Sequence, residues 1–210
     1  MKDYEPNYSG EIMMKFANAV NMVHNVLLPR IYTAGCMVDA TAGNGRDTAF
    51  LAANSPDDAL IWAFDIQKEA LEKTRTCLQE QGQEKKVRLI LDSHANLPLY
   101  VRQPIDVAMF NLGYLPGGAH QNTTQADSTL QALEAVLTQL KAGGLISIVA
   151  YPGHAAGKLE HEAVRRYLSV LPSPIFAVGS WSMINQAHEP PVMFLVEKVR
   201  SEFRERPAPC

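Results

Sequence analysis

Short apolar runs alternate along this chain with segments of helical periodicity, and that alternation constrains the fold more than any other feature. Residues 36–40 (CMVDA), 59–64 (ALIWAF), 87–91 (VRLIL), 105–110 (IDVAMF) and 145–151 (LISIVAY) read as buried strands. Between them, 46–54, 67–81, 124–141 and 158–170 read as helices. Over 124–141, Leu130, Leu133, Leu137 and Leu140 form one stripe, and Lys141-Ala142-Gly143-Gly144 supplies helix-stopping chemistry. Strands separated by helices pair in parallel, because a parallel crossover needs a dozen residues or more. The runs 174–182 and 192–199 are joined by a short connection holding Pro190 and Pro191, which permits only an antiparallel hairpin. The expected architecture is α/β: a mostly parallel, doubly wound sheet with helices on both faces and an antiparallel last strand.

Ahead of the first strand, Ile12, Met13, Phe16, Val20, Val23 and Leu27 recur at helical spacing. They predict an amphipathic helix over 9–28, ended by Pro29. The chain then divides into an N-terminal helical extension (1–34), an α/β domain (35–200) and a tail (201–210). Two roles are open to the extension: a cover over a ligand pocket, or the contact of a homodimer. His24 on this helix reads as a packing or surface residue.

Hydrophobic residues make up 47% of the 210, enough to build one core without covalent staples. Cys36, Cys77 and Cys210 are odd in number and far apart, so neither a disulfide framework nor a metal site is expected. His154 and His161 are too isolated to suggest a metal either. The opening MKDYEPNYSG lacks a signal-peptide core, and no apolar run approaches the roughly 20 residues of a membrane span. A reducing cytoplasm and no membrane association are expected. The net charge of −3 lends nucleic-acid binding no general support, although a local basic patch would suffice.

The chemistry gathers at strand ends. Val38 to Thr48 (VDATAGNGRDT) joins the first strand to the next helix. Gly43 and Gly45 allow a sharp turn and close backbone approach to a ligand, and the helix N-terminus behind them offers free N–H groups. A plain strand-to-helix turn would look the same. Asp65 ends the next strand about 20 residues later, where an acid accepts hydrogen bonds from both ribose hydroxyls or caps the following helix. Turn and acid together fit a nicotinamide dinucleotide or S-adenosylmethionine. Thr48 stands where the dinucleotide motif G-x-G-x-x-G has its third glycine, which favours the second. Asp92, Ser93 and His94 end the third strand, where an adenine edge would lie. Asn111 to Gly118 (NLGYLPGG) ends the fourth and resembles the N/D-P-P-Y loop of amino-group methyltransferases. Asn111 would then aim an amine lone pair at the methyl carbon, with Tyr114 stacking on the acceptor or lining the methyl path. Each also has a plainer reading, Asn111 as a turn cap and Tyr114 as a packed loop aromatic.

With VDATAGNGRDTAFLA at 38–52, FDIQ at 64–67, DSHANL at 92–97, NLGYLPGG at 111–118, TLQAL at 129–133 and YPGH at 151–154, the chain resembles a known group. It is similar to the rRNA methylase family that includes bacterial tRNA 5-aminomethyluridine methyltransferases. The resemblance implies a Rossmann-like class I methyltransferase fold over 35–200 and S-adenosylmethionine as donor. It implies that Asn44, Asp47, Asp65, Gln67, Ser93 and His94 touch that donor. It also implies that the acceptor is the aminomethyl nitrogen of a modified wobble uridine, so that the partner is the anticodon loop of tRNA. Arg46 departs from the family's usual histidine, and Ala119-His120 from its usual acid and lysine. A wobble base lies in single-stranded RNA and can be splayed into a pocket, with Tyr114, Tyr151 and Trp181 as stacking candidates and Ser182 to Pro191 as a rim. The alternatives are a methyltransferase for rRNA or a small amine, a nicotinamide-dependent oxidoreductase, and a cofactor-binding module without catalysis.

Overall fold

The computed structural model describes residues 18–113, 125–186 and 189–201. Among these, seven strands form one sheet: β1 (Cys36–Asp39), β2 (Leu60–Asp65), β3 (Val87–Leu91), β4 (Ile105–Asn111), β5 (Leu140–Ala150), β6 (Phe176–Ser182) and β7 (Val192–Lys198). Their spatial order is β3-β2-β1-β4-β5-β7-β6. The first five pair in parallel, and β7 lies antiparallel between β5 and β6. The alternation expected from the sequence is therefore the architecture observed.

One face of the sheet carries α1 (Ala19–Ile31), α2 (Arg46–Asn54) and α3 (Lys68–Glu80). The other carries the single turn α4 (Leu97–Tyr100), α5 (Ala126–Gln139) and α6 (Ala155–Ser169). Val38, Phe64, Ile105, Phe110 and Ile148 are buried against the second group, and Met37, Ile61, Val107 and Met109 against the first. Neighbouring residues of one strand thus feed opposite cores, which is why these strands read as continuous apolar runs.

The N-terminal helix differs from its expected span. Asn18 caps it, its side chain accepting from the Asn21 N–H at 2.8 Å, and residues 9–17 lie outside the described region. Pro29 does not end it: the helix runs on to Ile31. The proline stands in the last turn, where little helix remains beyond it to be kinked, and Leu27 and Ile31 on either side of it are fully buried and hold that turn against the sheet. Through Ala19, Val23, Leu27 and Ile31, α1 shares the core of α2, α3 and the strands beneath.

The segment after α5 also differs. Helix α5 stops at Gln139, and Leu140 is already extended and paired with Ile105. Lys141 therefore belongs to the irregular start of β5 rather than to a helix cap. Its Nζ lies 2.7 Å from Asp106 Oδ2. The same carboxylate oxygen accepts from the N–H groups of Gly35 (2.9 Å) and Cys36 (3.0 Å), tying the entrance of β1 to β4. Burial raises the Asp106 carboxyl, but Lys141 and the two N–H groups outweigh it and hold it below the ordinary range.

Candidate active site

The carboxyl ends of β1 and β4 are neighbours, yet the chain leaves β1 toward β2 and β4 toward β5. This is the switch point at which open α/β sheets bind ligands. Asp39, Asp65, Asp92, Asn111 and Tyr151 all fall at this end of the sheet, on or just beyond the last residues of β1 to β5.

The glycine turn is built as a bracket around Asp65. One oxygen of Asp65 accepts from Gly43 N–H at 2.9 Å and the other from Gln67 N–H at 2.8 Å. Gly43 and Gly45 have φ of 53° and 79°, conformations an L side chain rarely takes. Gly45 has a reason to be glycine besides the expected approach to a ligand. A Cβ there would stand 2.7 Å from Thr74 Cα, so the residue is small because α3 crosses directly against it. Thr74 Oγ1 donates to the Gly43 carbonyl at 3.2 Å and closes the turn from that side. Asn44 at the tip is exposed.

Asp39, directly before this turn, received no role in the sequence reading. It is buried, accepting from Thr48 Oγ1 at 2.6 Å and from Thr41 N–H at 3.1 Å. Burial, with Asp47 nearby, pushes its carboxyl up to about 7. An acid at the last position of a buried strand was the available signal.

At the end of β3, Asp92 accepts from Asn96 Nδ2 (2.8 Å), Tyr100 Oη (2.8 Å) and its neighbour Ser93 N–H (2.7 Å). The Asn96 and Tyr100 bonds hold its carboxyl below the usual value. Ser93 caps the turn His94–Asn96, accepting from Ala95 N–H at 3.2 Å. His94 is buried, with Nδ1 3.1 Å from the Ala40 carbonyl and its ring edge-on to Phe110. A carbonyl only accepts, so Nδ1 carries the hydrogen and Nε2 is an acceptor. Burial pushes the pKa of His94 down, which keeps the ring neutral. Nε2 is buried and has no hydrogen-bond partner among the described residues.

At the end of β4, Asn111 is held on three sides. Its N–H donates to Thr41 Oγ1 (2.7 Å), its Nδ2 to Asp47 Oδ2 (3.2 Å), and its Oδ1 accepts from Tyr151 Oη (2.8 Å). Asp47 is nearly buried, and its other oxygen lies 2.7 Å from Nε2 of His24 on α1. The His24 ring stacks on Phe50 at 3.7 Å between centroids. His24 was missed as a site residue, since nothing local in the sequence links it to an acid 23 positions away. Trp181, half-buried, packs against the core that includes α1. Tyr114 lies outside the described residues.

These residues fit an adenosyl donor. Asp65 uses one acceptor site on each oxygen and keeps others for a sugar diol. The partnerless His94 Nε2 offers a buried acceptor at the neighbouring strand end. No group of three or more His, Cys, Asp or Glu able to hold a metal occurs among the described residues, and no helix among them is long and apolar enough to cross a membrane. Cys36 and Cys77 are free thiols.

Residues 61–197 match the model of the family described as "Putative rRNA methylase". The chain belongs to this family. A chloroplastic tRNA (mnm5s2U34)-methyltransferase of Arabidopsis thaliana is 36% identical over 190 residues, 86% of this chain and 69% of that protein. The crystal structure of a family-named protein from Clostridium thermocellum is 37% identical, with a TM-score of 0.82 over 86% of this chain and 97% of that one. A methyltransferase so described from Streptococcus mutans, in complex with S-adenosylhomocysteine, is 36% identical, with a TM-score of 0.78 over 85% and 97%. This family member is an S-adenosylmethionine-dependent methyltransferase with the class I fold.

Proposed function

We propose that the protein methylates the aminomethyl nitrogen of a modified wobble uridine in tRNA. The tRNA methyltransferase from Arabidopsis supports the acceptor class. The observation that carries the chemistry is the fixed amide of Asn111. Asp47 only accepts, so Nδ2 faces it and Oδ1 faces the Tyr151 hydroxyl. An amine attacks only through an uncharged lone pair, so the site must accept its N–H groups and leave that pair free. The second lone pair of Asn111 Oδ1 does so and aims the nitrogen.

When bound, the donor supplies a methyl group already activated by its sulfonium. In this reading Asp65 holds its ribose, with Gly43, Asn44, Gly45 and Gln67 along the same edge, and Asp92, Ser93 and His94 form the adenine side. The Tyr151 hydroxyl is kept protonated, because burial and the Asp47 charge raise its pKa, so it donates to Asn111 and does not act as a base.

The test is methyl transfer from labelled S-adenosylmethionine to tRNA carrying aminomethyluridine, to rRNA and to small amines. Label in the wobble position of tRNA is expected. Label only in rRNA or small amines would overturn the acceptor. In the same assay Asn111→Ala should lower turnover more than donor binding, and an effect on donor binding alone would remove Asn111 from the acceptor site.

A further inference from the structure

We propose that His24 is a positioning residue for methyl transfer: from α1, its Nε2–H fixes the Asp47 carboxylate, which in turn sets the direction of the Asn111 amide. The inference rests on the reading of Asn111 as the group that receives the acceptor amine.

The chain of contacts is continuous, His24 Nε2 to Asp47 Oδ1 at 2.7 Å, Asp47 Oδ2 to Asn111 Nδ2 at 3.2 Å, and Asn111 Oδ1 to Tyr151 Oη at 2.8 Å. An amide has two orientations related by a half-turn, and the Tyr151 hydroxyl alone does not choose between them, because a hydroxyl both donates and accepts. Asp47 makes the choice, since only Nδ2 can face a carboxylate. Asp47 can do this only while its own rotation is fixed. One end of the carboxylate is bound to the amide it must orient, so the fixing has to come from the other end. His24 provides it, and its ring is in turn locked by the stack on Phe50, 3° from parallel. The histidine backbone is anchored because Val23 and Leu27 beside it are fully buried. Three elements, α1, α2 and β4, therefore converge on one amide. This gives α1 a role apart from covering the pocket or meeting a second copy: it completes the acceptor side from behind.

Residues that support a catalytic group in this way commonly cost activity when removed without touching the ligand themselves. The variants separate packing from hydrogen bonding. His24→Phe keeps the stack on Phe50 and removes the N–H; His24→Gln restores an N–H at similar reach. Full-length protein is assayed for kcat and KM on aminomethyluridine tRNA, and for S-adenosylhomocysteine binding by calorimetry. H24F is expected to lower kcat roughly tenfold or more with unchanged donor affinity, and H24Q to recover most of it. Wild-type kcat in H24F overturns the role, as does a loss that H24Q does not restore or one matched by weakened donor binding. Asn111→Ala run alongside distinguishes the failures. If N111A is slow and H24F is not, only the role of His24 falls; if N111A turns over like the wild type, the acceptor reading falls and this one with it. Should H24F not fold, Asp47→Asn takes its place: the same loss of kcat is expected, and wild-type kcat overturns the proposal.

Discussion

Asp65 brackets the glycine turn through Gly43 and Gln67, and in the proposed function the same carboxylate also holds the ribose. Asp65→Ala removes both, and S-adenosylhomocysteine affinity should fall by roughly 1.5–3 kcal/mol, the worth of hydrogen bonds to a charged group. Calorimetry showing unchanged affinity would place the ribose elsewhere. Asp39 makes a prediction in pH. Unfolded, it ionises near its ordinary 3.8; folded, near about 7. Between those values the folded chain holds a proton that the unfolded chain has released, so this group makes stability fall as pH rises from about 4 to about 7. Asp39→Asn removes that contribution. Denaturant midpoints at two pH values inside the window should show a smaller decline in the variant than in the wild type; equal declines would contradict the assignment. At this scale the positions of single residues were legible where a local signal marks them: Asp65 and Asn111 were expected at strand ends and His94 just beyond one, and they stand there. The pairing of His24 was not legible, because its partner Asp47 is brought to it only by the packing of α1 on α2.

Among the elements, strands and helices were legible because their periods are local, and α2 and β3 have the spans expected of them. Ends governed by tertiary contacts were not. Pro29 yields to the burial of Ile31, and Lys141 is drawn to the start of β5 by Asp106, an acid on another strand. The two glycines of the turn illustrate the same division. Both were expected to serve a ligand, and the crowding of Gly45 by α3 at its back was not visible in the sequence. Gly45→Ala combines a left-handed φ with a backbone collision at Thr74, and should destabilise the fold by about 2 kcal/mol or more. A thermal or urea melt matching the wild type would show that α3 yields easily there and that the turn is not held as described.

For the whole molecule, the order β3-β2-β1-β4-β5-β7-β6 places one crevice between β1 and β4 and gathers both halves of the chemistry there. In the proposed function the donor side is furnished by β1, β2 and β3, and the acceptor side by β4 and β5 with α1 behind them. This division follows from chain order alone, which is why fold and donor were readable from sequence. The acceptor was not readable from charge or periodicity, and it entered through the resemblance of NLGYLPGG and its neighbours to one family. Its most direct test is nucleoside mass spectrometry of tRNA from cells with and without the protein. The account predicts that the wobble nucleoside is lighter by one CH2, aminomethyluridine in place of its N-methylated form, when the protein is absent, and that the difference is restored when the purified enzyme and S-adenosylmethionine are added back. An unchanged wobble nucleoside in both cells would contradict it.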